Sequence, residues 1–237
     1  MADIIEGQND CDCALYNNSE DFDIILKFGE HKIYAHKVVL RMWSPFFSNT
    51  FKSRFAVATN PVFLLDDQDD SFVAVPAMVK HMYGMSYGKH PLNPGGLELK
   101  DDHIPYWEQA MYHQLAVYTA ADKYDCPAVL RAALGLMNIP LGNTACSTHD
   151  PPAVVRKLSV FVPLISKICG PDAPKLADQS LYTDTVKFCV RWHPRLIYHA
   201  EYRTAFQKKA LYDAISQEKM YQAHITYLEG EQEINRP

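Results

Sequence analysis

The chain has 237 residues, 48% apolar and 22% charged, enough for one large domain or for a domain with a sizeable extension. Its net charge is −5 and no basic run is longer than Lys208-Lys209, so a phosphate-binding surface and contact with nucleic acid are not expected. The acidic start lacks the basic head and apolar core of a signal peptide, and no run approaches the ~18 apolar residues of a membrane span. Six scattered cysteines do not resemble a secreted disulfide framework, so an intracellular setting, cytoplasm or nucleus, is expected.

Residues 1–20 read as a flexible acidic segment. Within it Cys11-Asp12-Cys13 is spaced too tightly for a zinc knuckle and has no matching pair downstream, so no metal site is expected. Ile24–Phe28 has the period of a half-buried strand, Gly29-Glu30 turns the chain, and His31–Ala35 returns as the second strand of a hairpin. The period then changes to helical, with Val38, Val39 and Met42 on one face against the hairpin. Ser44-Pro45 ends that helix and starts the next, Ser as N-cap and Pro at the first helical position, with Phe46, Phe47 and Phe51 following.

Pro61–Leu65 reads as a third strand. Asp66–Asp70 is an acidic turn with Ser71 as a cap; it lacks the Gly and closing Glu of a calcium loop. Val75, Met78, Val79 and Met82 give an amphipathic helix ending at Tyr83-Gly84, with Pro76 limiting its regular start. The Gly-, Pro- and Asn-rich residues 85–107 read as an inserted loop. A central helix follows over Glu108–Tyr124, then Asp125 as cap of another helix with Leu130, Ala133, Leu134 and Met137 facing inward.

Residues 138–151 read as a polar hinge, the linker proper at 141–151. Val154, Leu158, Phe161, Ile165 and Ile168 trace a helix that Pro163 should kink or split, and Gly170–Pro174 is a turn. Leu181, Thr185, Phe188 and Trp192 mark a helix stopped at His193-Pro194; helical pattern resumes over Leu196–Tyr202 and Phe206–Leu228. The sequence has no Gly-x-Ser-x-Gly, no phosphate loop and no His-x-x-x-His pair with a Glu, so neither catalytic residues nor cofactors are expected. A hydrolase with a spatially assembled triad is the distant alternative.

Three pieces in fixed order, Asp23-Ile24-Ile25-Leu26, Ala35-His36-Lys37-Val38-Val39-Leu40 and Ser44-Pro45-Phe46-Phe47, resemble the signature of a BTB/POZ domain. Met78–Gly84 resembles the family's approach to a Tyr-Thr-Gly turn, without the Thr, and Val117–Tyr124 with Leu130 is similar to its closing helices. The resemblance covers residues 21–140, and the segment Leu181–Lys219 is similar, more loosely, to the helical extension of many fungal BTB proteins. It implies an α+β fold, a small β-sheet capped by a cluster of helices, followed by an all-α extension over 152–230.

The resemblance also implies a protein–protein interaction module, a homo- or hetero-dimerising scaffold or adaptor. The family's charged pocket at the dimer interface falls on Asp23 and Lys37, with His36 beside them; Lys stands where the family often has Arg and lacks its forked donors. Arg41, Met42, Trp43, Phe51 and Phe55 are the interface candidates, since Met, Arg and aromatic residues are enriched in protein contacts. Adaptor function in a cullin-type ubiquitin ligase is the second reading. The apolar-x-Glu motif it calls for would fall on Phe55–Thr59, which has no Glu.

Overall fold

The computed structural model describes residues 14–52, 59–65, 72–86, 104–146 and 161–234. The sequence readings on Cys11–Cys13, Asp66–Ser71, Val154, Leu158 and Phe55 lie outside these residues. The chain divides into two units, one of residues 1–98 and 112–136, the other of 99–111 and 137–237.

The first unit is built on a three-stranded sheet in the order β2-β1-β3. In β1 (Ile24–Phe28) the alternation predicted from sequence buries Ile24, Leu26 and Phe28. It runs antiparallel to β2 (His31–Ala35) from Ile24 opposite Ala35 to Phe28 opposite His31. The connecting turn holds Gly29 at φ +55°, a conformation that favours glycine. β3 (Val62–Leu64) pairs with β1 in parallel, Leu26 opposite Phe63, which makes β1 the central strand. A parallel partner needs a crossover, and helices α1 (Lys37–Trp43) and α2 (Pro45–Lys52) lie between β2 and β3 in the chain.

Ser44 joins the two helices as the sequence predicts. Its hydroxyl accepts the Phe47 N–H at 3.0 Å, capping α2, and donates to the Tyr124 carbonyl at 2.6 Å in a fully buried position. Beside it Phe47 stacks on Tyr124 (5.6 Å, 9°) and Phe51 (5.7 Å, 18°), and meets Phe63 edge-on at 5.8 Å. This aromatic cluster ties α2 to the sheet. Helix α3 (Ala74–Met82) buries Val75, Met78, Val79 and Met82, and ends at Gly84 with φ +72°. Pro76 lies in its first turn, where a missing N–H breaks no helical bond.

Several boundaries differ from the sequence reading. Residues 14–20 do not behave as a tail: Asn17 Oδ1 accepts the Tyr34 N–H at 3.0 Å and Tyr16 packs edge-on to Tyr83 at 5.7 Å. α4 (Ile104–Lys123) starts four residues before Glu108, inside the stretch read as loop, because Pro105 fits a first helical turn. Asp125 takes φ +46° as the chain leaves α4, so it is not a cap; the Cys126 carbonyl instead accepts the first bond of α5 (Pro127–Cys146). Helix α5 runs through Pro140 to Cys146, where a polar hinge was expected from residue 138. A proline removes one helical bond while its neighbours keep theirs, so the helix can run on through it. Val129, Leu130, Ala133 and Met137 are buried, while Leu134 is half-buried.

The second unit is helical. Residues 161–169 form α6, Pro163 included, with Phe161, Leu164, Ile165 and Cys169 buried. It ends at Gly170, where an added Cβ would collide with the Ser166 carbonyl. α7 (Ser180–Leu196) buries Leu181, Thr185, Val186 and Cys189 and continues past His193-Pro194, since both residues are buried in its packed face. The two breaks that follow fall later than the periodicity indicates, at 197–199 before α8 (Ala200–Gln207) and at 208–213 before α9 (Ala214–Ile234). Lys209 at φ +55° turns the chain, and Asp213 caps α9 by accepting the Ser216 N–H at 2.8 Å. Buried within this unit, His193 Nδ1 meets the Tyr202 hydroxyl at 2.9 Å, which meets the Tyr212 hydroxyl at 2.8 Å. Burial and neighbouring His224 push His193 down to about 4.

Candidate protein-interaction face

The N-terminus of α1 is where the sequence-predicted charged residues meet. His36 is its N-cap in extended conformation and makes no capping bond of its own. The cap is supplied from fourteen residues away: Asp23, just before β1, takes the Lys37 main-chain N–H on Oδ1 at 2.6 Å. A carboxylate at this position satisfies a donor the helix cannot and sits at the positive end of its dipole. The Lys37 ammonium lies 5.7 Å over the Phe51 ring. Asp23, His36 and Lys37 are therefore brought together, with the Asp23 carboxylate on the Lys37 backbone.

Tyr83, at the end of α3, completes this corner. Its hydroxyl accepts the His36 N–H at 2.9 Å and lies 2.8 Å from His36 Nδ1. One oxygen thus holds both the backbone and the ring of the residue that starts α1. Burial pushes the Tyr83 hydroxyl up to about 12, so it remains a proton donor throughout the neutral range. Tyr16 packs against Tyr83 and is likewise raised to about 12 by burial, with the Lys80 ammonium 5.8 Å above its ring. Sequence reasoning missed both tyrosines. The Tyr83-Gly84 turn was legible, but its partner is 47 residues away.

Helix α1 itself is not arranged as its apolar pattern indicated. Of its residues only Leu40 is buried. Val38 is 61% exposed and Met42 75%, one helical turn apart on the same face, where an inward face was expected. A seven-residue helix can turn only a narrow arc inward, and Leu40 occupies it. Trp43 is 37% exposed and meets His81 edge-on at 6.2 Å; burial holds His81 below the usual histidine range. Arg41 is exposed beside them. Phe51 departs from its assignment: it is half-buried in the aromatic cluster, so it packs inside the unit more than it faces outward.

The corner thus fixes the start of a short helix, and the helix presents two large apolar side chains to solvent with charged groups around them. Residues 14–93 match the model of the BTB/POZ domain, so the chain carries this protein-interaction domain over about a third of its length. A helical region follows. No curated protein matches the chain. Among the described residues no group of three or more His, Cys, Asp or Glu side chains is placed to hold a metal ion, and no helix is long and apolar enough to cross a membrane.

Proposed function

We propose that the chain is a dimerising BTB scaffold, pairing with a second copy or a related BTB domain through the exposed face of α1. The observation that carries this reading is the exposure of Val38 and Met42, flanked by Trp43 and Arg41. Apolar side chains one turn apart on a free helix face lose contact with water when two such faces meet, at ~25 cal/mol per Å² buried. Asp23, His36 and Lys37 act here as the pocket that sets the helix and borders the contact. Mass in solution across a concentration series, with Met42→Asp for comparison, tests the reading.

The BTB unit extends past the matched residues through α4 and the first part of α5, a reading supported by the burial of Tyr118, Ala121, Tyr124 and Val129. The helices from 161 onward are an extension of the fungal type, a reading supported by their all-helical build. The free, buried thiols of Cys126, Cys169 and Cys189 suit a reducing intracellular setting. The cullin-adaptor reading gains no observation of its own, since residues 53–58 lie outside those described.

A further inference from the structure

In the second unit, α7 and α9 pack together and leave a groove of about 360 Å³ along one side of α7. Tyr182, Val186 and Val190 form its apolar part, and Lys187, Arg191 and Lys219 are the charged residues that line it. No acidic side chain lines it. The volume lies at the low end of the ~300–1,000 Å³ of ligand sites, room for one or two large side chains and not for a whole helix.

The groove is held in shape from beneath. The Tyr182 hydroxyl lies 2.8 Å from Asp213 Oδ2 and 2.5 Å from Ser216 Oγ, joining α7 to the start of α9. Burial would raise the Asp213 carboxyl, but bonds from the Ser216 N–H and from the Tyr182 and Ser216 hydroxyls, with Lys219 nearby, hold it below the usual carboxylate range. Asp213 is thus fully occupied as a cap. Lys187 reaches Asp184 at 3.6 Å, but that lysine side chain is 73% exposed, and such a pair is weak enough to be exchanged for another carboxylate. The Arg191 guanidinium lies 5.8 Å over the Trp192 ring.

We propose that this groove docks an acidic peptide segment of a partner protein, seating one large apolar side chain against Val186 and Val190 while flanking carboxylates meet Lys187, Arg191 and Lys219. Charge complementarity selects this occupant. An apolar floor lined by three cations disfavours a basic or amidated segment, and a purely acidic one would leave the floor wet. The site is built from residues of the second unit alone and uses no residue of α1.

The test uses the full chain and a fluorescein-labelled peptide, Glu-Asp-Glu-Leu-Phe-Asp-Glu-Asp, read by fluorescence anisotropy. Two control peptides replace Leu-Phe by Ala-Ala, or every acid by Lys. Saturable binding of the first peptide is expected, about tenfold or more weaker for each control and for the triple variant K187E/R191E/K219E. These three side chains are exposed or at the groove, so the variant should keep its circular dichroism and melting point; if it does not, K187E/R191E replaces it. The methyl resonances of Val186 and Val190 should move on titration. No saturation up to millimolar peptide overturns the proposal. So does equal binding of the Ala-Ala peptide, equal binding by the charge-reversed chain, or binding that leaves both valine methyls unmoved.

Discussion

Replacing Tyr83 by Phe removes a single oxygen and leaves the ring, so it isolates the contact that fixes the start of α1. The ring keeps its edge-on packing with Tyr16 (5.7 Å) and His36 (5.9 Å), and no large cavity opens. What is lost is the acceptor for the His36 N–H at 2.9 Å and the partner of Nδ1 at 2.8 Å, on a residue whose Nε2 is already buried without a partner. Each lost bond costs about 0.5–1.5 kcal/mol net, and stranding a buried polar group about 1–3. His36 is only half-buried, so water recovers part of this, and the expected loss is ~2 kcal/mol. Urea unfolding of the full chain followed by circular dichroism should show a lower midpoint with an unchanged slope, and a melting point ~4–8 °C lower. Because Tyr83 keeps its proton up to about 12, the difference should be the same at pH 7 and pH 9. In a cycle with His36→Ala the two losses should couple by ~1–2 kcal/mol. An unchanged midpoint, or two losses that simply add, would refute the reasoning.

Other positions give equally definite expectations. Ser44→Ala removes the α2 cap and the bond to the Tyr124 carbonyl, ~1 kcal/mol each, and should lower stability by ~2 kcal/mol in the same urea assay. Asp23→Asn keeps an acceptor for the Lys37 N–H but loses the negative charge at the N-terminus of α1; weaker self-association or earlier melting is expected, and no change in either counts against the pocket. His193 has a folded value of about 4, below the ~6.5 of a free histidine, so the unfolded chain binds its proton first. Its stabilisation is complete above pH ~6.5, drains away as pH falls towards 4, and changes no further below that. The span corresponds to about 3 kcal/mol, and the stability gap between the wild type and His193→Gln should narrow across that window.

The hairpin, the Ser44-Pro45 junction and the α3 stripe were legible because each is written locally, in a period or a cap within a few residues. The charged corner was legible only through the order of its motifs. Nothing local in Asp23 shows that its carboxylate caps a helix fourteen residues on, and nothing near His36 points to Tyr83. The exposed face of α1 misled for a different reason. Val38 and Met42 fit an inward stripe by spacing alone, but a seven-residue helix that buries Leu40 leaves their face outward. Pro140 and Pro194 stand inside helices where sequence would end them. A proline's cost of ~3 kcal/mol can be outweighed by packing on either side, and at Pro194 buried His193 and Leu196 flank it.

The measurement that bears most directly on the central claim is the mass of the chain in solution. Light scattering or sedimentation equilibrium, from low micromolar to ~100 µM, should give the wild type at twice the 27.0 kDa of a single chain, dissociating on dilution. Met42 is 75% exposed, so Met42→Asp should leave the circular dichroism of the folded chain unchanged while shifting the mass to 27.0 kDa, and Val38→Asp should do the same. A wild type that stays at 27.0 kDa over the whole range, or a dimer that survives both substitutions, would contradict the account.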